Sequence, residues 1–191
     1  MSRLVVLDTE TGGLDPERFS LLSVGVVVWE TDELGAADEF FVAEPEIRCE
    51  PEAMAVNAID TEVLAQVGLP PEQAVIRLEH FLDTQFPVAV HDRVTVAGHN
   101  VHFDVAFIRR LYRLAGRTNG PRFSHRVLDT AGILQFLILV GHLPAAVSSS
   151  SDAFRHFGIE VAPGKRHSAL ADARATAQLL TKLVTLARRR P

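Results

Sequence analysis

LVVLDTETGG, residues 4–13, is the stretch from which the fold is read. Four apolar residues make a short buried strand, and the run ends in Asp8, Thr9 and Glu10. A second apolar run, SLLSVGVVVW (20–29), and a third, EFFVA (39–43), follow after short linkers that include GGLDPE and ETDELGAAD. The linkers are turn-rich and close-spaced, which predicts an antiparallel meander of three strands.

Downstream the pattern changes to helices and short strands. Pro51 opens PEAMAVNAI as a short helix, and Asp60 is placed to cap DTEVLAQ. Ala74, Val75, Leu78, Phe81 and Leu82 recur at helical spacing within 71–84. RVTVAGHN (93–100) reads as a buried strand running into a loop. An amphipathic helix follows from Val101 and closes at Gly116. RVLDT is a short strand, Thr130–His142 a helix, and SSSSDAFRHFGI a serine-capped helix ending at Gly158. The last helix spans 168–188. The fold class expected is α/β, with a central mixed sheet flanked by helices. With no internal repeat or interdomain linker, residues 1–191 read as a single domain.

Composition bounds the function. The 191 residues are 47% hydrophobic and 23% charged, ordinary values for a folded domain. No apolar run reaches the roughly 18 residues of a membrane helix, and LVVL is too short for a signal-peptide core. Cys49 is the single cysteine, so neither an intramolecular disulfide nor a multi-cysteine zinc site is expected. It reads as an inert thiol, and a reducing cytoplasm is the expected compartment. The net charge of −5 hides a split. Residues 1–104 hold 20 acids and 5 Lys+Arg, and residues 105–191 hold 4 acids and 14 Lys+Arg. That asymmetry suits a polyanion partner, or acidic and basic helices of one domain attracting each other.

The acids stand where a core should be. Period-two alternation puts Asp8 and Glu10 on one side of the first strand, provided the strand continues that far. Like charges there repel unless a cation lies between them. Asp104 shares a helix face with Phe107 and Ile108, so it needs a partner or is favoured by the helix N-terminus. Asp172 falls on the inward stripe of Ala169, Thr176, Leu179, Leu180 and Leu183, where it must pair with a cation or bind a metal. His167, five residues earlier, follows PGKR in a loop and is a candidate to take a proton from water. Four carboxylates and one histidine suit phosphodiester cleavage with two Mg²⁺ or Mn²⁺ ions. The sequence offers neither a serine or cysteine nucleophile arrangement nor a lysine-bearing phosphate loop.

Taken in order, DTETGGL (8–14), GHNVHFD (98–104) and HSALAD (167–172) resemble the three motifs of the DnaQ-like DEDDh 3′→5′ exonucleases. The resemblance covers nearly the whole chain and implies a ribonuclease H-like fold with a five-stranded mixed sheet. By it, Asp8, Glu10, Asp104 and Asp172 match the metal ligands and His167 the general base. Thr11, Gly12, Gly13 and Leu14 match the loop that contacts the terminal nucleotide, by backbone or by an apolar wedge. His99, Asn100 and Phe103 match positions beside the 3′ end. EPEAMAVNAID (50–60) is similar to the segment found in ribonuclease T and in polymerase III epsilon-type proteins. Leu14, Val56 and His125 then correspond to base-clamping positions.

Arg109 and Arg113 lie on one face of the helix that carries Asp104, and Lys165 and Arg166 adjoin His167. All four are candidate phosphate contacts. The expected activity is 3′→5′ hydrolysis of single-stranded ends to nucleoside 5′-monophosphates, with DNA slightly favoured over RNA. Trimming of RNA 3′ ends and a quiet end-binding module are the rival readings. A polymerase and a second copy of the chain are the open partner expectations.

Overall fold

The computed structural model describes residues 3–30, 33–90, 93–161 and 168–188. The strands are β1 (Arg3–Thr11), β2 (Leu21–Glu30), β3 (Glu33–Phe41), β4 (Val96–Gly98) and β5 (Leu128–Asp129). The helices are α1 (Pro51–Asn57), α2 (Thr61–Val67), α3 (Pro71–Gln85), α4 (Val101–Leu114), α5 (Thr130–Leu139), α6 (Ser150–Phe157) and α7 (Ala169–Arg188). They form the α/β architecture expected: one five-stranded mixed sheet in the order β3-β2-β1-β4-β5. The first three strands are an antiparallel meander, while β4 and β5 join β1 in parallel.

Alternation along β1 divides the molecule into layers. Val5 and Leu7, with Val24, Val26, Val28 and Phe40, face α3 and α4 in the main core. Leu4 and Val6, with Val27 and Trp29, face Ala173, Ala177 and Leu180 of α7. Alanines at 169, 173 and 177, all fully buried, let α7 lie close on the sheet. Each fully buried Val or Leu of these layers contributes roughly 1.5–3 kcal/mol. Leu134, Leu137, Phe154, Leu179 and Leu183 pack α5 and α6 against the outer side of α7.

Several ends follow the local chemistry. The Asp60 side chain accepts hydrogen bonds from Glu62 N and Val63 N to open α2. Gly158, at φ 64°, closes α6 in the left-handed conformation that glycine adopts without strain. Several boundaries differ from the sequence reading. The segment ETDELGAAD, read as a linker, instead contributes to β3, which starts at Glu33 and pairs along the length of β2. The ladder bonds are made by backbone, so an exposed edge strand needs no apolar pattern. Helix α5 stops at Leu139 rather than His142, because Gly141 turns to φ 79°.

Candidate active site

β1 runs to Thr11, so alternation does carry Asp8 and Glu10 to the same side. That side is the α7 side, and the first turn of α7 delivers Asp172 to meet them. Oxygens from Asp8, Glu10 and Asp172 all lie within 4.8 Å of one another. Glu10 and Asp172 are buried, and Asp8 is half-buried. Three carboxylates that close repel strongly in a medium less polar than water. Two oxygens bound to one Mg²⁺ at about 2.1 Å are at most about 4.2 Å apart. The cluster is therefore nearly the size of a divalent-ion cage, and its hard oxygen donors are of the right kind.

Asp104 arrives from the opposite layer. Thr9 points away from its neighbours Asp8 and Glu10, and its hydroxyl donates to Asp104 Oδ1 at 2.7 Å. Asp104 is 4% exposed. Burial pushes its carboxyl up to about 7, against the lowering pull of the Thr9 hydroxyl, and the nearby charge of Asp129 adds to the rise. The four acids line one open cleft of about 400 Å³, together with Leu14, His99, Asn100 and Phe103.

The second motif is braced by a short polar relay. Thr130 Oγ1 donates to Gly98 O at 3.0 Å and stands 3.1 Å from His99 Nδ1. With the hydroxyl proton committed to Gly98, Nδ1 of His99 is the donor to Thr130, which orients the ring. Asn100 has φ 59°, a left-handed conformation that asparagine tolerates, and its N–H donates to Asp129 Oδ1 at 3.0 Å.

The first-motif loop is held from beneath. Gly12 N–H donates to Ser20 O at 2.8 Å, and Gly12 O accepts from Glu50 N at 2.7 Å. The Thr11 hydroxyl donates to Gly13 O at 2.9 Å. A Cβ on Gly13 would stand 2.4 Å from the Phe19 ring. Gly12 and Gly13 are thus buried packing positions, and Leu14, 78% exposed, is the loop residue that lines the cleft. Arg110 and Glu44 lock this loop onto α4. The guanidinium donates to both Glu44 oxygens, at 2.9 and 3.1 Å, and to Pro16 O at 3.1 Å.

The basic candidates divide. Arg109 is exposed on α4, whereas Arg113 pairs with Glu17 of the first-motif loop. His167, Lys165 and Arg166 lie outside the described residues. Val56 and His125 are exposed and do not line the cleft. Sequence reasoning missed Thr9, Ser150, Phe154 and Thr176 as cleft residues. Thr9 had the acids on either side as its only signal. In sequence the serine run offers cap chemistry and a short low-complexity patch, and no pattern there marks Ser150 or Phe154.

Acids near the end of a central strand are met by acids from two helices across an open cleft, a donor set suited to hydrolysis assisted by divalent ions. Solved structures agree on the fold. E. coli exonuclease I in complex with a dT13 oligonucleotide superposes with a TM-score of 0.78 at 16% identity. The match covers 97% of this chain, which spans 41% of the exonuclease I chain. The nuclease domain of 3′hExo, a DEDDh family member bound to rAMP, has a TM-score of 0.77 at 13% identity, covering 96% of this chain and 92% of that one. Among curated relatives, ribonuclease T of Blochmanniella pennsylvanica (strain BPEN) is 26% identical over 187 residues, 94% of this chain and 83% of its own length. Ribonuclease T of Yersinia enterocolitica is also 26% identical, with the same coverage. The exonuclease family model of the ribonuclease T group matches residues 5–180. The chain belongs to that family, and it is a 3′→5′ exonuclease, a hydrolase.

Proposed function

We propose that residues 1–191 form one exonuclease domain that hydrolyses single-stranded 3′ ends to nucleoside 5′-monophosphates, with DNA slightly favoured. The observation that carries this reading is the meeting of Asp8, Glu10 and Asp172 within 4.8 Å at the cleft. Asp8, Glu10, Asp104 and Asp172 would hold two Mg²⁺ or Mn²⁺ ions. When bound, such ions lower the pKa of an attacking water and stabilise the leaving 3′ oxygen.

The chain's own groups do the rest. His167 takes the proton of the attacking water and returns it to solvent. Leu14 and Phe103 present apolar surface to the terminal base, while His99 and Asn100 border the sugar-phosphate. Arg109, Lys165 and Arg166 meet phosphates of the incoming strand, and binding then weakens with salt. The RNA reading draws support from the ribonuclease T relatives, aligned over 94% of the chain.

A paired time course tests both. Equal 5′-labelled DNA and RNA oligomers are incubated with Mg²⁺, Mn²⁺ or EDTA, alongside Asp172→Ala protein. A ladder shortening from the 3′ end, faster on DNA and absent with EDTA or the variant, is the expected result. Faster shortening of RNA assigns the protein to RNA maturation or turnover. Tight end binding without turnover in any metal would refute catalysis.

A further inference from the structure

Asp8, Gly25 and Glu39 lie side by side on one rung across β1, β2 and β3. Directly paired residues of adjacent strands project to the same face. All three therefore face α7. At the middle of the rung there is no side chain. A Cβ on Gly25 would stand 2.3 Å from the carbonyl carbon of Ala169 and 2.4 Å from Leu170 N. The backbone of the first turn of α7 fills that space.

Glu39 holds the turn from the edge strand. Its Oε1 accepts from Leu170 N at 3.1 Å and from Ser168 Oγ at 3.0 Å. Leu170 N is one of the N-terminal N–H groups that a helix cannot satisfy itself. Glu39 thus caps α7 from 131 residues away in sequence. Ser168 extends the link, because its carbonyl accepts from Asp172 N at 3.0 Å. Glu39, Ser168 and Asp172 are joined in one hydrogen-bonded chain. On the other side of the gap Asp8 faces Asp172.

We propose that Glu39 is a positioning residue for the metal centre. With the Gly25 gap, it sets how far α7 advances over the sheet and how it is rotated. Those two quantities decide whether the Asp172 carboxylate reaches the cage formed with Asp8 and Glu10. The proposal rests on the metal-dependent reading above. It is geometric: Glu39 works as an acceptor, so an uncharged acceptor of the same length replaces it.

Mn²⁺ binding without substrate, followed by electron paramagnetic resonance, separates the possibilities. Thermal unfolding in EDTA identifies variants that remain folded. Glu39→Ala weakens Mn²⁺ binding by about 10–100-fold, the range typical for loss of a group that orients a metal ligand. Glu39→Gln keeps the amide oxygen as acceptor and binds within about twofold of the parent. Raising Mn²⁺ restores kcat of Glu39→Ala, and KM for the oligonucleotide stays unchanged at saturating metal. Should Glu39→Ala fail to fold, Ser168→Ala removes only the hydroxyl link and still weakens Mn²⁺ binding severalfold. Parental Mn²⁺ affinity in a folded Glu39→Ala or Ser168→Ala protein would overturn the proposal alone. Equal damage from Glu39→Gln and Glu39→Ala would also overturn it, by pointing to charge instead of geometry. A parent protein that binds no Mn²⁺ overturns the metal reading, and this proposal with it.

Discussion

Arg110→Ala strips two hydrogen bonds from a carboxylate almost wholly out of water. The Glu44 side chain is 1% exposed and that of Arg110 13%. After the substitution Glu44 keeps, among the described residues, the Ser20 hydroxyl at 2.9 Å and Leu21 N at 3.1 Å. Leaving one partner of a buried ion pair without the other costs about 3–5 kcal/mol. The two surviving hydrogen bonds put the expected loss at the lower end, about 3 kcal/mol. For a domain of this size that lowers Tm by about 6–12 °C. Arg113, one turn further along α4, is the internal control. Its pair with Glu17 has side chains 54% and 71% exposed, so Arg113→Ala costs under about 1 kcal/mol. Urea unfolding of the three proteins in EDTA, with m unchanged, measures both losses. Adding Glu44→Gln to Arg110→Ala removes the stranded charge and recovers part of the stability. If Arg110→Ala costs no more than Arg113→Ala, the buried clamp does not hold the first-motif loop as described.

Mn²⁺ at about 100 times its dissociation constant should stabilise the parent by about 2.7 kcal/mol, and Asp172→Asn should abolish most of that shift. A parent whose Tm ignores Mn²⁺ would count against the cage of Asp8, Glu10 and Asp172. Leu14→Ala, at a position 78% exposed, should change stability by less than about 0.5 kcal/mol. Steady-state kinetics should show KM for single-stranded ends raised severalfold, and an unchanged KM would remove Leu14 from the substrate contacts. In EDTA the raised carboxyl of Asp104, at about 7 against an ordinary 3.8, favours the protonated native state. Its stabilising contribution is complete below the unfolded value and is lost as pH rises through the folded one. The metal-free parent should therefore lose Tm as pH rises from 3.8 to about 7 and level off above, and Asp104→Asn should lack that fall while being inactive. Parallel Tm profiles for the two would refute it.

Much of the candidate site's geometry was legible because it is local. Strand alternation alone relates Asp8 to Glu10, since neighbouring side chains must point to opposite faces. Helical periodicity alone turns Asp172 inward with Leu179 and Leu183. Turn and cap chemistry marks the ends at Asp60, Gly116 and Gly158 within one or two residues of where they occur. The polar edge strand β3 was half hidden, because its backbone pairing leaves no mark on an exposed side-chain pattern.

Strand and helix periodicity, then, set the faces on which Asp8, Glu10 and Asp172 lie, and the residue types set the kind of ion they suit. Which groups they meet is a different matter. Thr9 finds Asp104 across 95 positions, Arg110 finds Glu44 across 66, and Glu39 finds Leu170 across 131. No periodicity spans such separations. These contacts arise only when the sheet order sets β3 beside β2 and the two helical layers close on opposite faces. Local dihedral preferences reach a few residues along the chain, whereas the distance between two carboxylates depends on how packed layers come together.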